Sequence, residues 1–253
     1  MGIVEATGIV TREIKYGESS RILTVITKEL GRISILAGGA RSNKSGLLHL
    51  TQLFSYGTFT LFQSRGKGLY KINSGDLITS FSNLRNSLEG MAYASYFSEI
   101  ANRMIPEDAP DPEQMQLLLN ALYMLAEEKL PPEQIKAVYE FRTLSIQGLL
   151  PSFSACSHCG QTENLRFFHP IEEAVWCTTC TDENHPGVIT FGESLIKAIA
   201  YIEDADPKKV FAFHLPEQSL SYLSSLGEYC LELQLEKHLK TLDYLKSVKA
   251  LEN

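Results

Sequence analysis

The chain has 253 residues, 44% of them hydrophobic and 21% charged, with a formal net charge of −7. That is enough for a real core in one large domain or in two to three small ones, and the composition is ordinary for a globular protein. No apolar run approaches the ~20 residues that span a bilayer. No basic stretch followed by a long apolar run opens the sequence, which predicts a cytoplasmic protein with reduced thiols and no membrane partner.

The charge is uneven. Residues 1–80 carry ten Lys/Arg against five Asp/Glu, a net of +5, and residues 81–253 carry thirteen against twenty-five, a net of −12. A basic first third suits a polyanion, and the acidic remainder suits other partners. The boundary falls between residues 1–80 and 81–253.

Residues 1–80 predict short strands. Thr7–Ile14, Arg21–Thr27 and Arg32–Ala37 are rich in β-branched residues and partly alternate, and Phe54–Phe62 and Leu69–Asn73 follow. Tyr16-Gly-Glu-Ser-Ser20 is the first turn, and Ser64–Gly68 is a basic Gly-rich loop. Five short strands with Gly-rich turns predict a closed barrel of the OB type, a frame that grips oligonucleotides. Near residue 81 the period changes. Phe81, Leu84, Leu88, Met91, Phe97, Ile100 and Met104 form one helical stripe. Asp111-Pro112 starts the next helix as an N-cap followed by proline, with Leu118, Leu122 and Leu125 on its apolar face. Pro131-Pro132 opens another, which Gly148 stops. Thr190 to Glu193 fits a capping box before Leu195, Ile199 and Ile202. A last long helix carries Leu220, Leu223, Leu226, Cys230 and Leu233, with Cys230 as a core residue. The fold class is therefore multi-domain α+β: a five-stranded OB barrel, then a helical domain.

The helical part is interrupted over about 152–188 by Cys156-Ser-His-Cys159, seventeen residues, and Cys177-Thr-Thr-Cys180. This is the spacing of four-cysteine zinc sites, in which each turn presents two sulfurs and Gly160 suits the left-handed backbone of a tight knuckle. Four protein ligands leave no position for a catalytic water, so the predicted Zn²⁺ is structural. Other readings are unligated thiols, redox-active disulfides, iron in the same S₄ cage, and one of His158, His169 or His185 replacing a sulfur.

The basic residues of the first domain are Arg12, Lys15, Arg21, Lys28, Arg32, Arg41, Lys44, Arg65, Lys67 and Lys71, several beside predicted turns. As a patch they predict a DNA-binding surface; the alternative is scattered solubilising charge. Tyr16, Tyr56, Phe59, Phe62 and Tyr70 would stack on bases only where exposed. Gly38 to Ser45 nearly fits the phosphate-binding loop Gly-x-x-x-x-Gly-Lys-Ser/Thr, but Asn43 stands where the second glycine belongs, and the flanking strands do not form a βαβ unit. No nucleophile elbow, metalloprotease helix or dinucleotide fingerprint occurs, so the chain is not expected to be an enzyme.

Several segments together resemble the RecO family of bacterial recombination mediators. They are Tyr16-Gly-Glu-Ser-Ser20, Thr27-Lys-Glu-Leu-Gly-Arg-Ile-Ser34 and Ala37-Gly-Gly-Ala-Arg-Ser42. Tyr96-Phe-Ser-Glu-Ile100 and the run Tyr139 to Pro151, which leads into the first cysteine pair, complete the set. The resemblance implies a non-enzymatic, nucleoid-associated DNA-repair factor. Such a factor binds single- and double-stranded DNA, anneals complementary strands, recognises the acidic tail of the single-strand-binding protein SSB, and pairs with RecR to help load RecA. An acidic, aromatic tail needs an apolar pocket with cations nearby, for which Arg142, Lys237, Lys240 and Lys246 are the candidates; an internal ion pair or a solvated helix face is the other reading of each.

Overall fold

The computed structural model describes residues 2–42, 45–63, 69–235 and 238–252. Its contacts divide the chain into two compact units, residues 1–129 with 239–253, and residues 130–238.

In the first unit, five strands close into a barrel: β1 (Ile3–Tyr16), β2 (Ser20–Thr27), β3 (Gly31–Ala37), β4 (Tyr56–Gln63) and β5 (Leu69–Thr79). Their order around the barrel is β1-β2-β3-β5-β4 and back to β1, with only the β3–β5 pair parallel. This is the predicted OB-like architecture. Alternation sets its inside: Val10, Leu23, Val25, Ile33, Ile35, Phe59, Leu61 and Ile72 fill the core. Leu50, from the segment between β3 and β4, covers Gly57 and Gly75, where a larger residue would strike its methyl groups. A bulge at Thr11 bends β1 and turns the Thr11 hydroxyl to Asn102 Oδ1 at 2.8 Å.

Helices α1 (Ser82–Asn86), α2 (Leu88–Met104) and α3 (Pro112–Ala126) follow. The single stripe predicted from Phe81 onward is in fact broken at Ser87, whose extended backbone and side chain cap α2 by accepting from the Gly90 N–H, and Leu88 is consequently exposed. Asp111 caps α3 as predicted, accepting from the Gln114 N–H at 2.9 Å. The segment between α2 and α3 reaches back to the barrel: the Arg32 N–H donates to Pro106 O and Arg32 Nε to Ile105 O, each at 3.2 Å.

The predicted last helix is two helices, α6 (Glu217–Leu235) and α7 (Lys240–Glu252). Helix α7 packs on α2, where Glu99 Oε2 accepts from both the N–H and the hydroxyl of Thr241. On α6, Leu220, Leu223, Leu226 and Cys230 are buried as expected, but Leu233 is exposed.

The centre of the second unit is α4 (Pro132–Ile146), buried without interruption from Gln134 to Leu144. Gly148, at φ 67°, ends it as predicted: its N–H donates to Ser145 O and that of Leu149 to Leu144 O, the paired bonds of a left-handed helix stop. Burial all round forces α4 to match its polar groups. Lys136 Nζ lies 2.9 Å from Glu140 and 3.3 Å from Glu228 of α6. Helix α5 (Glu193–Asp204) begins at Gly192 with no side-chain cap, so the expected Thr190–Glu193 capping box does not form. Between α4 and α5 lies a three-stranded sheet, order β7-β6-β8, made of β6 (Leu165–His169), β7 (Ala174–Cys177) and β8 (Ile189–Thr190). Phe153 joins it to α4, edge-on to Phe141 and 5.2 Å from the Phe168 ring. No helix among the described residues is long and apolar enough to cross a membrane.

Candidate metal centre and nucleic-acid interface

The four cysteines lie on two turns brought together by the small sheet. In the first turn, Gly160 at φ 75° lets its N–H return to Cys156 O at 2.8 Å, and the Cys156 N–H donates to Gln161 O. The second turn starts where β7 ends, with the Cys180 N–H on Cys177 O at 3.1 Å. The Cys177 N–H donates to Cys156 Sγ at 3.4 Å, joining the two. All four Sγ atoms lie within 4.8 Å of one another, and Cys159 and Cys177 are 3.7 Å apart. A tetrahedron of ~2.3 Å metal–sulfur bonds has edges of about 3.8 Å, so the donor set fits a thiophilic ion. No disulfide links any of them.

The electrostatics point the same way. Burial opposes ionisation of Cys156, but the backbone N–H groups of Cys159, Cys177 and His158 outweigh it and bring its thiol down to about 6. Cys177 is lowered too, against burial, by the Thr179 N–H and by Cys180. Cys180 is pushed up to about 12, chiefly through its contact with the Cys159 side chain and then by burial. One corner of the cage thus ionises readily while the last thiol resists adding another negative charge, a conflict that a bound cation removes. Of the neighbouring histidines, His158 Nδ1 sits 3.8 Å from Cys180 Sγ, at the edge of the cage. His169 and His185 instead pack on Trp176, with ring centroids 5.5 and 5.0 Å away.

The basic residues fall into two groups. Lys15 is opposite Arg21 across β1–β2, Arg21 is opposite Ala37 across β2–β3, and Lys71 is opposite Leu36 across β3–β5. Lys15 and Arg21 therefore lie side by side on one face at one end of the barrel, while Lys71 is level with the next β3 residue, Leu36, and faces the outer side of the sheet. Arg41 joins Lys15 and Arg21, because its N–H donates to Ser19 O and its guanidinium to Glu18 O, both in the β1–β2 turn. Lys15 and Lys71 are exposed, while Arg21 is held by Glu13 at 2.7 Å and by Thr51 O at 2.9 Å. Tyr16 is 56% exposed beside Lys15, and Phe62 is 36% exposed opposite Lys71. Phe59 and Tyr70 are buried in the core, and Tyr56 is half-buried. Arg32 and Lys28 are at the other end, around the β2–β3 turn, where Arg32 pairs with Glu107 at 3.2 Å. Arg12 is exposed on β1. Lys44, Arg65, Lys67 and Lys237 lie outside the described residues.

Lys240 and Lys246 are exposed on α7, but Arg142 is buried. Its guanidinium donates to Ile202 O at 3.1 Å and to Glu203 O, closing the end of α5. Sequence reasoning missed a cleft of about 520 Å³ in the first unit, whose lining includes Leu53, Phe54, Ser95, Arg12 and Lys240. Its walls come from four separate segments, so only the fold brings them together.

Two family models cover nearly the whole sequence: Recombination protein O N terminal over residues 1–81, and Recombination protein O C terminal over residues 85–243. The chain belongs to the RecO family. RecO proteins similar to it include the DNA repair protein RecO of Acetivibrio thermocellus, 38% identical over 98% of each chain. That of Caldicellulosiruptor saccharolyticus is 30% identical, over 98% of this chain and all of its own. That of Halalkalibacterium halodurans is 27% identical, over 98% of this chain and 96% of its own.

Proposed function

We propose that this RecO-family chain is a non-catalytic DNA-repair mediator that binds single- and double-stranded DNA through the barrel, over residues 1–80. The observation that carries this reading is the group of Lys15, Arg21 and Arg41 at one end of the barrel beside the exposed Tyr16, with Lys71 and Phe62 paired and exposed on the outer face of β5 and β4. Cations there neutralise phosphates and release counterions, so the surface takes any sequence and loses affinity with salt. The two exposed rings offer faces on which unpaired bases stack. Holding two polyanions on one cationic surface lowers their mutual repulsion, which is how such a protein anneals complementary strands.

Residues 81–253 carry the partner contacts in this reading, with the zinc module over about 152–188. A structural zinc ion would be held by Cys156, Cys159, Cys177 and Cys180, and when bound it cross-links the two turns and neutralises the thiolates. The tail of SSB is acidic and aromatic; the cleft beside Leu53 and Phe54 offers it Arg12 and Lys240, though Glu13 and Glu99 also line the wall. RecR and, through it, RecA complete the set of partners.

Replacing Arg41, Lys44 and Lys67 together by alanine tests the barrel. A gel shift with single-stranded DNA at two salt concentrations is expected to show weaker binding and a salt slope shallower by about 2 than the intact protein's. Unchanged affinity and slope would place DNA elsewhere and favour a scaffold that binds proteins alone.

A further inference from the structure

We propose that Cys159 is a modification site for hydroperoxides, and that its oxidation opens the four-cysteine centre and releases the ion. This rests on the reading of that centre as zinc-bound.

The argument starts from an asymmetry among the four sulfurs. Cys156 and Cys177, the first cysteine of each pair, are 2% and 0% exposed. Backbone N–H groups also donate to their sulfurs, from Cys177 to Cys156 and from Thr179 and Cys180 to Cys177. Burial keeps a peroxide away, and N–H···S bonds withdraw electron density from the sulfur it would attack. Cys159 is exposed to solvent, on a turn that ends at the open Gly160. In the zinc-bound centre all four sulfurs are thiolates, so accessibility decides which reacts. Cys159 also has a resolving partner in place, Cys177 Sγ at 3.7 Å.

The chemistry balances with the hydroperoxide as oxidant. The Cys159 thiolate attacks the peroxide, the O–O bond breaks, and the leaving oxygen takes a proton and departs as water or an alcohol. Cys159 is now a sulfenic acid. The Cys177 thiolate attacks its sulfur, the S–O bond breaks, and the hydroxide leaves as water after protonation. Two thiolates have become one disulfide, two electrons have passed to the peroxide, and the two sulfurs left hold the cation weakly. A dithiol reductant reverses the change.

The fold confines the effect. All five cysteines lie between residues 156 and 230, in the second unit, and the barrel has none. Cys230 serves as an internal control. It is buried at 3%, and burial with the charges of Glu140 and Glu173 pushes its thiol up to about 12, so it has no thiolate to offer.

The full chain is first assayed for bound zinc, before and after incubation with zinc chloride. Less than half an equivalent in both cases overturns the metal reading itself, and this inference with it. With one equivalent bound, hydrogen peroxide is added stepwise while freed zinc is read with a pyridylazo dye. Samples are quenched in acid, labelled with a maleimide and mapped by mass spectrometry. The expected result is that Cys159 and Cys177 lose label together, ~10-fold faster than Cys156, that a Cys159–Cys177 disulfide grows in step with zinc release, and that Cys230 stays labelled. Brief N-ethylmaleimide treatment without peroxide is expected to mark Cys159 first as well. Zinc retained through a large excess of peroxide overturns the inference, as does first loss of Cys156, or loss of Cys177 with Cys159 still labelled. A Cys230→Ser variant is expected to release zinc on the same curve; a changed curve also overturns it.

Discussion

Gly31 offers a severe test of how the barrel is tied to the helices that follow it. Its backbone is left-handed at φ 67°, a region that costs an L-residue roughly 1–2 kcal/mol. A methyl group there would lie 2.5 Å from the carbonyl carbon of Ala109, 2.7 Å from its nitrogen, and closer still to its oxygen. All three are backbone atoms, so the 105–110 segment has to retreat from the barrel. That retreat breaks the two hydrogen bonds from Arg32 to Pro106 O and Ile105 O, at about 1 kcal/mol each. Gly31→Ala is therefore expected to lower unfolding free energy by about 3–4 kcal/mol in urea, with the circular-dichroism midpoint moving accordingly. Gly38→Ala is the control, because nothing lies within 4 Å of the added methyl group and its φ is not positive; a change of no more than about 0.5 kcal/mol is expected there. A loss below about 1 kcal/mol in Gly31→Ala would refute the close packing of this segment on β3.

The acid limb of stability tests the seat of α7. Burial opposes ionisation of Glu99, yet the bonds from Thr241 and then Arg103 hold its carboxyl below 4.5, so its contribution is present above that pH and is lost as pH falls through the lowered value. Glu99→Gln is expected to flatten the pH dependence of melting in that window and to leave α7 more open to proteolysis. Lys136→Met takes from the fully buried Glu140 carboxylate the ammonium 2.9 Å away, and a loss of about 3–5 kcal/mol in chemical denaturation is expected. Chelation with EDTA is expected to change the fluorescence of Trp176, the single tryptophan and the neighbour of Cys177, while the barrel's strand signal persists. Unchanged emission on full metal removal would show that the cysteine turns hold their shape unaided.

Legibility in the sequence followed how local each signal was. The barrel strands showed through alternation and β-branching, the start of α3 through Asp111-Pro112, and the end of α4 through Gly148, because each is set by neighbouring residues. The cysteine cage was also legible, since two Cys-x-x-Cys turns at fixed spacing need only one fold event to meet. The break at Ser87 was not, because Phe81, Leu84, Leu88 and Met91 keep helical spacing straight across it, and Leu88 points outward only after Ser87 has restarted the helix. The short strands β6, β7 and β8 have too few residues to show a period. The position of α7 depends on Glu99 accepting from Thr241, 142 residues away. Arg142 and Lys15 show the same limit from the other side: both are cations in sequence, yet one closes a helix in the interior and the other meets solvent.

The most direct test of the central claim is the equilibrium affinity of the purified, zinc-loaded protein for a short single strand, measured across a range of salt without any partner present. The account predicts tight binding at low salt and a linear fall of log affinity with log salt, with a slope of about −2 to −4 for three to five neutralised phosphates. Affinity that is absent at low salt, or that does not change with salt, would contradict it.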